Sequence, residues 1–266
     1  MKKTLQDVLL ASLTVLLFAC EGEEGKRGLP APVLIGSITG SVTTAIKGDI
    51  VGIEVKIAET SQKTFADSLG NWTINDISAG IYTLEFSRAG YGTSKIMNYQ
   101  FVGGGTSRVG SSPTLTKIPE YTANTIELIN VPNDEQGQLS FIVTFMPQAP
   151  RGEPRLFRLY FSKDKNFTPS GSNFFYTTTI PGNNLLDSYS ELTIRVSGIA
   201  ANLKSKSPTS TMLPFVKGDT VYVTTCASTS AGSAPVGSGY YDYEHLGQFV
   251  FTDITAPANT LSFVIP

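Results

Sequence analysis

Acid–base side chains are scarce in this chain, which has one histidine, His245, among 266 residues. A Ser-His-Asp hydrolase would need His245 as its base, with Asp242 or Asp253 to orient the imidazole. The serine of one large hydrolase class stands in a Gly-x-Ser-x-Gly turn, and the sequence contains no such motif. We therefore expect no catalytic residues, and we interpret His245, which follows Tyr243 and Glu244, as a surface residue.

The sequence also lacks the motifs that bind metals, phosphate-bearing cofactors or nucleic acids. Zinc needs three or four Cys or His ligands, and no Asp-x-Asp-x-Asp-Gly calcium loop is present. The run Gly103-Gly104-Gly105 lacks the following helix and lysine of a phosphate-binding loop, so it predicts a loose hairpin. The net charge of −2 provides no basic footprint for nucleic acid. The sequence thus predicts no metal, no cofactor and no nucleic-acid partner.

The best binding candidate is a tyrosine-rich segment, predicted to be a loop over residues 239–245. Its candidate ligand-binding residues are Tyr240, Tyr241, Asp242 and Tyr243. Aromatic rings can stack on sugar rings, and hydroxyl and carboxylate groups can hydrogen-bond sugar hydroxyls. Loops at the end of a sandwich often recognise ligands. The alternative is that these tyrosines pack on the edge of a sheet.

The N-terminus carries the features of an export signal. Lys2 and Lys3 precede an apolar run, Val8 to Ala19, of about 12 residues, which is too short for a bilayer that needs ~20. The run ends in Leu17-Phe18-Ala19-Cys20, which resembles the lipobox of bacterial lipoproteins. The resemblance implies that residues 1–19 are a cleaved signal peptide and that Cys20 is acylated. Residues 20–32 would then be a flexible tether.

The acidic residues after Cys20 resemble signals that send some Gram-negative lipoproteins to the cell surface. We therefore expect an outer-membrane lipoprotein exposed at the surface. The other cysteine, Cys226, would then have no partner within the chain. We interpret it as a small buried apolar residue of a strand.

Strand-like alternation dominates residues 33–118, where Ile53, Val55 and Ile57 share one face. Turn residues are followed by aromatic strand residues in two successive segments, Asp67-Ser-Leu-Gly70-Asn-Trp72 and then Ala79-Gly80-Ile-Tyr82. This order resembles the carboxypeptidase regulatory-like domain, a transthyretin-like sandwich. The resemblance implies a non-catalytic support. Asp67 is then a turn-capping residue rather than a catalytic acid.

Residues 119–266 continue the alternation, with Phe157, Leu159 and Phe161 on one face and Arg158 and Tyr160 opposite. About eight strands are predicted. The stretch from Asp219 to Ser228, with Tyr222 near its start, resembles the tyrosine-bearing strand of fibronectin type III domains. The predicted fold class is therefore all-β, with two consecutive β-sandwich domains over residues 33–118 and 119–266.

These features favour a non-catalytic surface lipoprotein that acts as a scaffold, an adhesion protein or a ligand-binding module. Its partners would be the membrane, through the lipid, and a glycan or another surface protein. Two alternatives remain: an accessory subunit of an outer-membrane complex that faces the periplasm, and a small hydrolase that uses His245.

Protease shaving of intact cells tests the export prediction, with Cys20→Ala as the control. We expect the wild-type chain to be digested from outside and the variant to be released or mislocalised. Protection of the wild type until the outer membrane is broken would instead indicate a periplasmic orientation.

Overall fold

The structure is a computed structural model that describes most of the chain after the N-terminal segment. The described residues are 32–46, 50–130, 138–146, 155–169, 176–182, 191–197, 215–229, 238–242 and 248–265. Every regular element among them is a β-strand, which confirms the all-β prediction. In this part of the chain no helix has the length and apolar character needed to cross a membrane. Cys20 and the predicted signal peptide lie outside the described residues.

Nine strands make up the first sandwich, residues 35–115. They are β1 (Ile35–Ser41), β2 (Thr43–Thr44), β3 (Glu54–Ile57), β4 (Lys63–Phe65), β5 (Asn71–Ser78), β6 (Gly80–Ser87), β7 (Ser94–Phe101), β8 (Gly105–Arg108) and β9 (Thr114–Leu115). One sheet has the order β5-β1-β8 and the facing sheet the order β4-β3-β6-β7, while β2 pairs with β9. Strands β1 and β8 pair in parallel, as do β2 and β9, and the other strand pairs of these sheets are antiparallel.

The core of the first sandwich follows from the alternation in its strands. Ile38, Val55 and Leu84 are fully buried and come from both sheets. Trp72 of β5 meets Phe86 of β6 edge-on, with ring centroids 5.6 Å apart. Each such buried side chain contributes about 1.5–3 kcal/mol, so the interlocked faces hold the sheets together.

Asp67 caps the turn before β5, as the sequence predicts. Its Oδ1 accepts hydrogen bonds from the backbone N–H groups of Leu69 and Asn71, both at 2.8 Å. Gly70 completes the turn with a φ of 84°, in the left-handed region that favours glycine. The interpretation of Asp67 as a turn residue is therefore confirmed.

The prediction of a hairpin at residues 103–105 is wrong. All three glycines have positive φ, but they connect β7 of one sheet to β8 of the other. The chain crosses between the sheets here because β8 pairs in parallel with β1 and does not pair with β7. Glycine adopts the positive φ values of this connection at low steric cost.

Nine further strands make up the second sandwich, residues 121–265. They are β10 (Thr122–Asn130), β11 (Gln138–Met146), β12 (Arg155–Ser162), β13 (Tyr176–Gly182), β14 (Glu191–Ser197), β15 (Thr220–Ser228), β16 (Gly239–Asp242), β17 (Gln248–Phe251) and β18 (Leu261–Val264). One sheet has the order β10-β11-β14 and the other the order β13-β12-β15-β18. Strands β16 and β17 form a separate antiparallel pair. Residues 239–242 are therefore a strand and not part of a loop, which is why the described residues of this sandwich contain nine strands where about eight were predicted.

Tyr121, directly before β10, forms hydrogen bonds with strands β12 and β15 of the other sheet. The Tyr121 hydroxyl accepts a hydrogen bond from the N–H of Leu156 at 2.7 Å and donates toward the carbonyl oxygens of Leu156 and Ser228, at 3.1 and 3.0 Å. Tyr222 packs on the opposite face of β15 from the main core, against a smaller cluster that contains Tyr160. Tyr121 thus links the sheet that contains β10 to the sheet that contains β12 and β15.

The two sandwiches have separate hydrophobic cores, one drawn from residues 38–115 and one from residues 121–265. Residues Leu34–Pro266 nevertheless form one compact unit. The division into domains at residues 118 and 119 stays a prediction.

The turn cap of Asp67 leads to a prediction for stability against pH. Hydrogen bonds from the main chain, first that of Asn71, hold the pKa of Asp67 below its ordinary value of 3.8. The carboxylate therefore stabilises the fold fully above its unfolded pKa, and this contribution is lost as the pH falls through the lower folded-state pKa. In urea unfolding we expect Asp67→Ala to be less stable than the wild type at pH 7, with a difference that shrinks in acid.

Glu127→Ala is the matched control, because Glu127 is an exposed carboxylate on β10. Its difference from the wild type should be small. An Asp67→Ala difference that grows as the pH falls would contradict the capping role.

Candidate ligand-binding groove

The strand pair β12–β15 is buried on both faces. Phe157, Leu159 and Phe161 point into the main core of the second sandwich. The alternate residues Arg158 and Tyr160 were expected on the opposite face, and both are 0% exposed. We call this second surface, with Cys226 on β15, the outer face. The outer face is thus covered by other parts of the protein, although its sequence contains polar side chains.

The hairpin β16–β17 covers the outer face. Val250 packs with Tyr160 and Cys226 in a small apolar cluster. The Phe251 ring lies over the Arg158 guanidinium, 3.4 Å from its central carbon to the ring centroid. Such a cation–π contact offsets part of the cost of removing a guanidinium from water.

Burial governs the chemistry of this face. It lowers the pKa of Arg158, while the nearby charge of Asp253 acts in the opposite direction. Burial also raises the pKa of the Cys226 thiol, so that Cys226 is a buried thiol rather than a reactive thiolate. The interpretation of Cys226 as a buried strand residue is confirmed.

The same hairpin also contacts the first sandwich through hydrogen bonds. Ser94 Oγ on β7 donates to the carbonyl oxygen of Gly239 at 2.9 Å. Thr116 N donates to Ser238 Oγ at 2.6 Å. Thr252 Oγ1 donates to the carbonyl oxygen of Thr93. We call this set of contacts the junction. Since two of these hydrogen bonds are buried and the third is partly buried, they fix the hairpin against β7.

A groove opens beside the junction, between β7, the segment 111–114 and the hairpin. Its volume is about 240 Å³, and its lining residues are Ser94, Lys95, Ile96, Ser111, Ser112, Pro113, Thr114, Gly239, Tyr240, Tyr241 and Phe249. Hydroxyls, aromatic rings and one ammonium group therefore share a single surface. A second hollow of about 290 Å³ is lined by Thr168, Pro169, Thr252, Ile254, Thr255, Ala256 and Pro257, which provide neither an aromatic ring nor a charge.

The two tyrosines of the groove have different surroundings. The ammonium of Lys95 lies over the Tyr240 ring, 5.1 Å from its centroid. Tyr241 is 40% exposed and meets Phe249 edge-on, with centroids 5.2 Å apart. Burial, and secondarily the charge of Asp242, raises the pKa of Tyr240, so its hydroxyl keeps its proton. Tyr241 therefore presents the more accessible ring.

The structure separates the four candidate residues of the tyrosine-rich segment. Tyr240 and Tyr241 line the groove, whereas Asp242 is 3% exposed and is not among the lining residues. Tyr243 lies outside the described residues, as do Glu244 and His245. The assignment of Tyr240, Tyr241, Asp242 and Tyr243 as ligand-binding residues stays a prediction.

Sequence reasoning missed the residues that the first sandwich adds to the groove, among them Lys95, Ser111 and Ser112. Ser94 and Gly239, which are joined by a hydrogen bond, are 145 positions apart in the chain. No short motif could have paired such distant segments. Among the described residues, no group of three His, Cys, Asp or Glu side chains is arranged to hold a metal ion.

The fold and the groove define an all-β protein built of β-sandwiches with a polar and aromatic cleft at their junction. Residues 37–115 match the family model of the carboxypeptidase regulatory-like domain, which confirms the resemblance carried by Asp67-x-x-Gly70-x-Trp72 and Ala79-Gly80-x-Tyr82. The first sandwich is therefore similar to carboxypeptidase regulatory-like domains.

Several solved structures are similar over part or most of the chain. A type II cohesin–X-dockerin complex from Acetivibrio cellulolyticus is 26% identical over 31% of this chain and 58% of that chain, with a TM-score of 0.27. A candidate carbohydrate binding protein from Bacteroides uniformis is 15% identical over 86% of this chain and 98% of that chain, with a TM-score of 0.29. A DUF3823 family protein from Parabacteroides merdae is 11% identical over 87% of this chain and 100% of that chain, with a TM-score of 0.28. At these TM-scores the likeness carries no information about a ligand. No curated protein matched the chain.

The junction yields a prediction at Gly92. A Cβ there would lie 2.6 Å from the backbone nitrogen of Asp253 and 2.6 Å from the Cβ of Ser238. Because backbone atoms cannot move aside cheaply, Gly92→Ala should lower the free energy of unfolding by about 1–3 kcal/mol, the usual effect of overpacking. Urea unfolding provides the measurement.

Gly110→Ala is the control, since a Cβ at Gly110 would meet nothing within 4 Å. It should leave stability within ~0.5 kcal/mol of the wild type, as surface substitutions do. Equal stability of the Gly92 and Gly110 variants would show that the junction does not pack as described.

Proposed function

We propose that this chain is a non-catalytic, lipid-anchored surface protein whose groove binds a glycan. The observation that carries the proposal is the partly exposed ring of Tyr241, set among hydroxyl groups in a cleft between the two sandwiches. The first sandwich supports one wall of the cleft and the second sandwich the other.

The chemistry of the lining suits a sugar. A sugar ring has C–H groups on its faces and hydroxyls around its rim, so it needs an aromatic platform beside hydrogen-bonding groups. Tyr241 is the platform. The side-chain hydroxyls of Ser111, Ser112 and Thr114 can each donate one hydrogen bond and accept others.

The size of the groove limits what it can enclose. Its volume of about 240 Å³ is below the ~300–1,000 Å³ of pockets that enclose drug-sized ligands. The groove therefore suits one sugar unit, with the rest of the chain extending over the surface. This arrangement favours recognition of a polymer or of a chain end over enclosure of a free metabolite.

The platform is held rigidly before the ligand arrives. Tyr241 packs against Phe249, whose ring in turn meets Phe251 edge-on at 4.8 Å between centroids. Phe251 is anchored over the buried Arg158. A side chain fixed in this way loses little conformational freedom on binding, which favours affinity.

Export and anchoring complete the proposal. The lipobox-like Leu17-Phe18-Ala19-Cys20 and the acidic residues after it support an outer-membrane anchor through Cys20 and exposure at the surface. Several acyl chains, at about 0.8 kcal/mol per buried methylene, would hold the protein without a spanning helix. The regulatory-like domain would then act as a spacer between the tether and the groove.

The test is a glycan array followed by titration calorimetry on the full chain, as wild type and as Tyr241→Ala. Loss of the stacking ring should weaken binding of any glycan found by tenfold or more, where tenfold corresponds to about 1.4 kcal/mol. Tyr241→Phe, which keeps the ring, should retain most of the affinity.

Phe65→Ala is the matched control, because Phe65 is 59% exposed on β4, at the opposite edge of the sheet from β7. Its affinity should equal that of the wild type. The proposal fails if no glycan binds, or if Tyr241→Ala binds as tightly as the Phe65 control.

A further inference from the structure

A chain of charges crosses the exposed face of the sheet β4-β3-β6-β7 and ends at the groove. Lys56 Nζ on β3 lies 2.8 Å from Glu85 Oε1 on β6. Lys95 Nζ on β7 lies 3.4 Å from Glu85 Oε2. Two ammonium groups thus share the Glu85 carboxylate, while the charge of Glu59 also acts on Lys95 and that of Glu54 on Lys56.

The strand registers impose this arrangement. Lys56 pairs with Glu85 across β3 and β6, and Glu85 pairs with Lys95 across β6 and β7. The shorter contact belongs to Lys56. Burial raises the pKa of Glu85, but the hydrogen bond from Lys56 and the two lysine charges outweigh it, so that the pKa is lowered overall. Glu85 is therefore ionised at neutral pH and is engaged chiefly by Lys56.

Lys95 stands at the groove end of this chain of charges. Its side chain is 30% exposed, and its ammonium lies over the Tyr240 ring, 5.1 Å from the centroid. It is one of the lining residues, together with Tyr241. The charge of Lys95 is therefore held at the wall of the groove by Glu85 on one side and by an aromatic ring on the other.

The other described residues that line the groove add no opposing charge. They are serines, a threonine, a proline, a glycine, an isoleucine and aromatic residues. Asp242 lies nearby in sequence, but it is 3% exposed and does not line the groove. An anionic group placed beside Lys95 would thus meet a cation, hydroxyl donors and no described lining carboxylate.

We infer that the groove selects an acidic glycan, with the sugar ring on Tyr241 and the carboxylate of a uronic acid paired with Lys95. This inference rests on the proposed function and adds the ligand class. The ion pair would be partly shielded from solvent in the cleft, so it would contribute more than an open surface pair, while remaining sensitive to salt.

The experiment compares ligands that differ only in charge. Oligosaccharides of galacturonate, glucuronate and mannuronate are titrated into the full chain by calorimetry, each alongside its neutral methyl ester. We expect at least one acid to bind tenfold or more tightly than its ester, with an advantage that shrinks between 20 mM and 500 mM NaCl.

Variants at Lys95 assign the effect to that residue. Lys95→Met keeps an apolar stem and should remove the preference, so that this variant binds the acid no more tightly than it binds the ester. Lys95→Arg should retain the preference. Lys63→Met is the control, because Lys63 pairs with Glu54 at 2.7 Å at the far edge of the same sheet. Thermal unfolding of each variant confirms that it is folded.

The outcomes separate this inference from the proposed function. Neutral glycans that bind in a Tyr241-dependent manner, with no preference for acids, would overturn the acidic ligand and leave glycan binding intact. Equal affinities for acid and ester, or a Lys95→Met variant that keeps the preference, would also overturn it. If neither acidic nor neutral glycans bind, both proposals fall.

Discussion

The burial of both faces of the β12–β15 strand pair is the constraint on which the rest of the structure depends. A strand pair at the surface of a sandwich normally keeps one face in water, where residues such as Arg158 are well solvated. Here the outer face is closed, and Arg158 lies beneath the Phe251 ring. Removing a guanidinium from water costs several kcal/mol, so the covering element must provide compensating contacts. The β16–β17 hairpin provides them.

This cover determines where the groove lies. Because the hairpin packs over the outer face, its strand β16 lies next to β7. The Ser94–Gly239 hydrogen bond fixes the position of β16 relative to β7. Gly92 lets the two backbones come close enough for these contacts to form. The aromatic contacts from Phe251 to Phe249 and on to Tyr241 then link the buried face to the wall of the groove. Core packing of one sandwich thus orients a side chain at the surface of the groove.

Each sandwich contributes a different kind of group to the proposed site. The first sandwich adds the hydroxyl-bearing segment 111–114 and the cation Lys95, whose position follows from the register of β6 and β7. The second sandwich adds the aromatic rings. Recognition of a sugar needs both kinds of group, so the proposed function belongs to the combined structure and to neither sandwich alone. Under the proposed lipid anchor, the first sandwich would also separate the groove from the membrane.

The sequence by itself determined the local structure: the all-β class, the capped turn at Asp67, the regulatory-like domain and the inward face of Phe157, Leu159 and Phe161. Alternation, turn residues and glycine positions depend on neighbours a few residues away, so they can be read along the chain. Tertiary structure decided that Arg158 and Tyr160 are buried, that residues 239–242 form a strand, that residues 103–105 cross between sheets and that Lys95 stands beside Tyr240. Each of these outcomes depends on packing between segments far apart in the chain, and no local period of hydrophobicity records which distant strand will cover a given face.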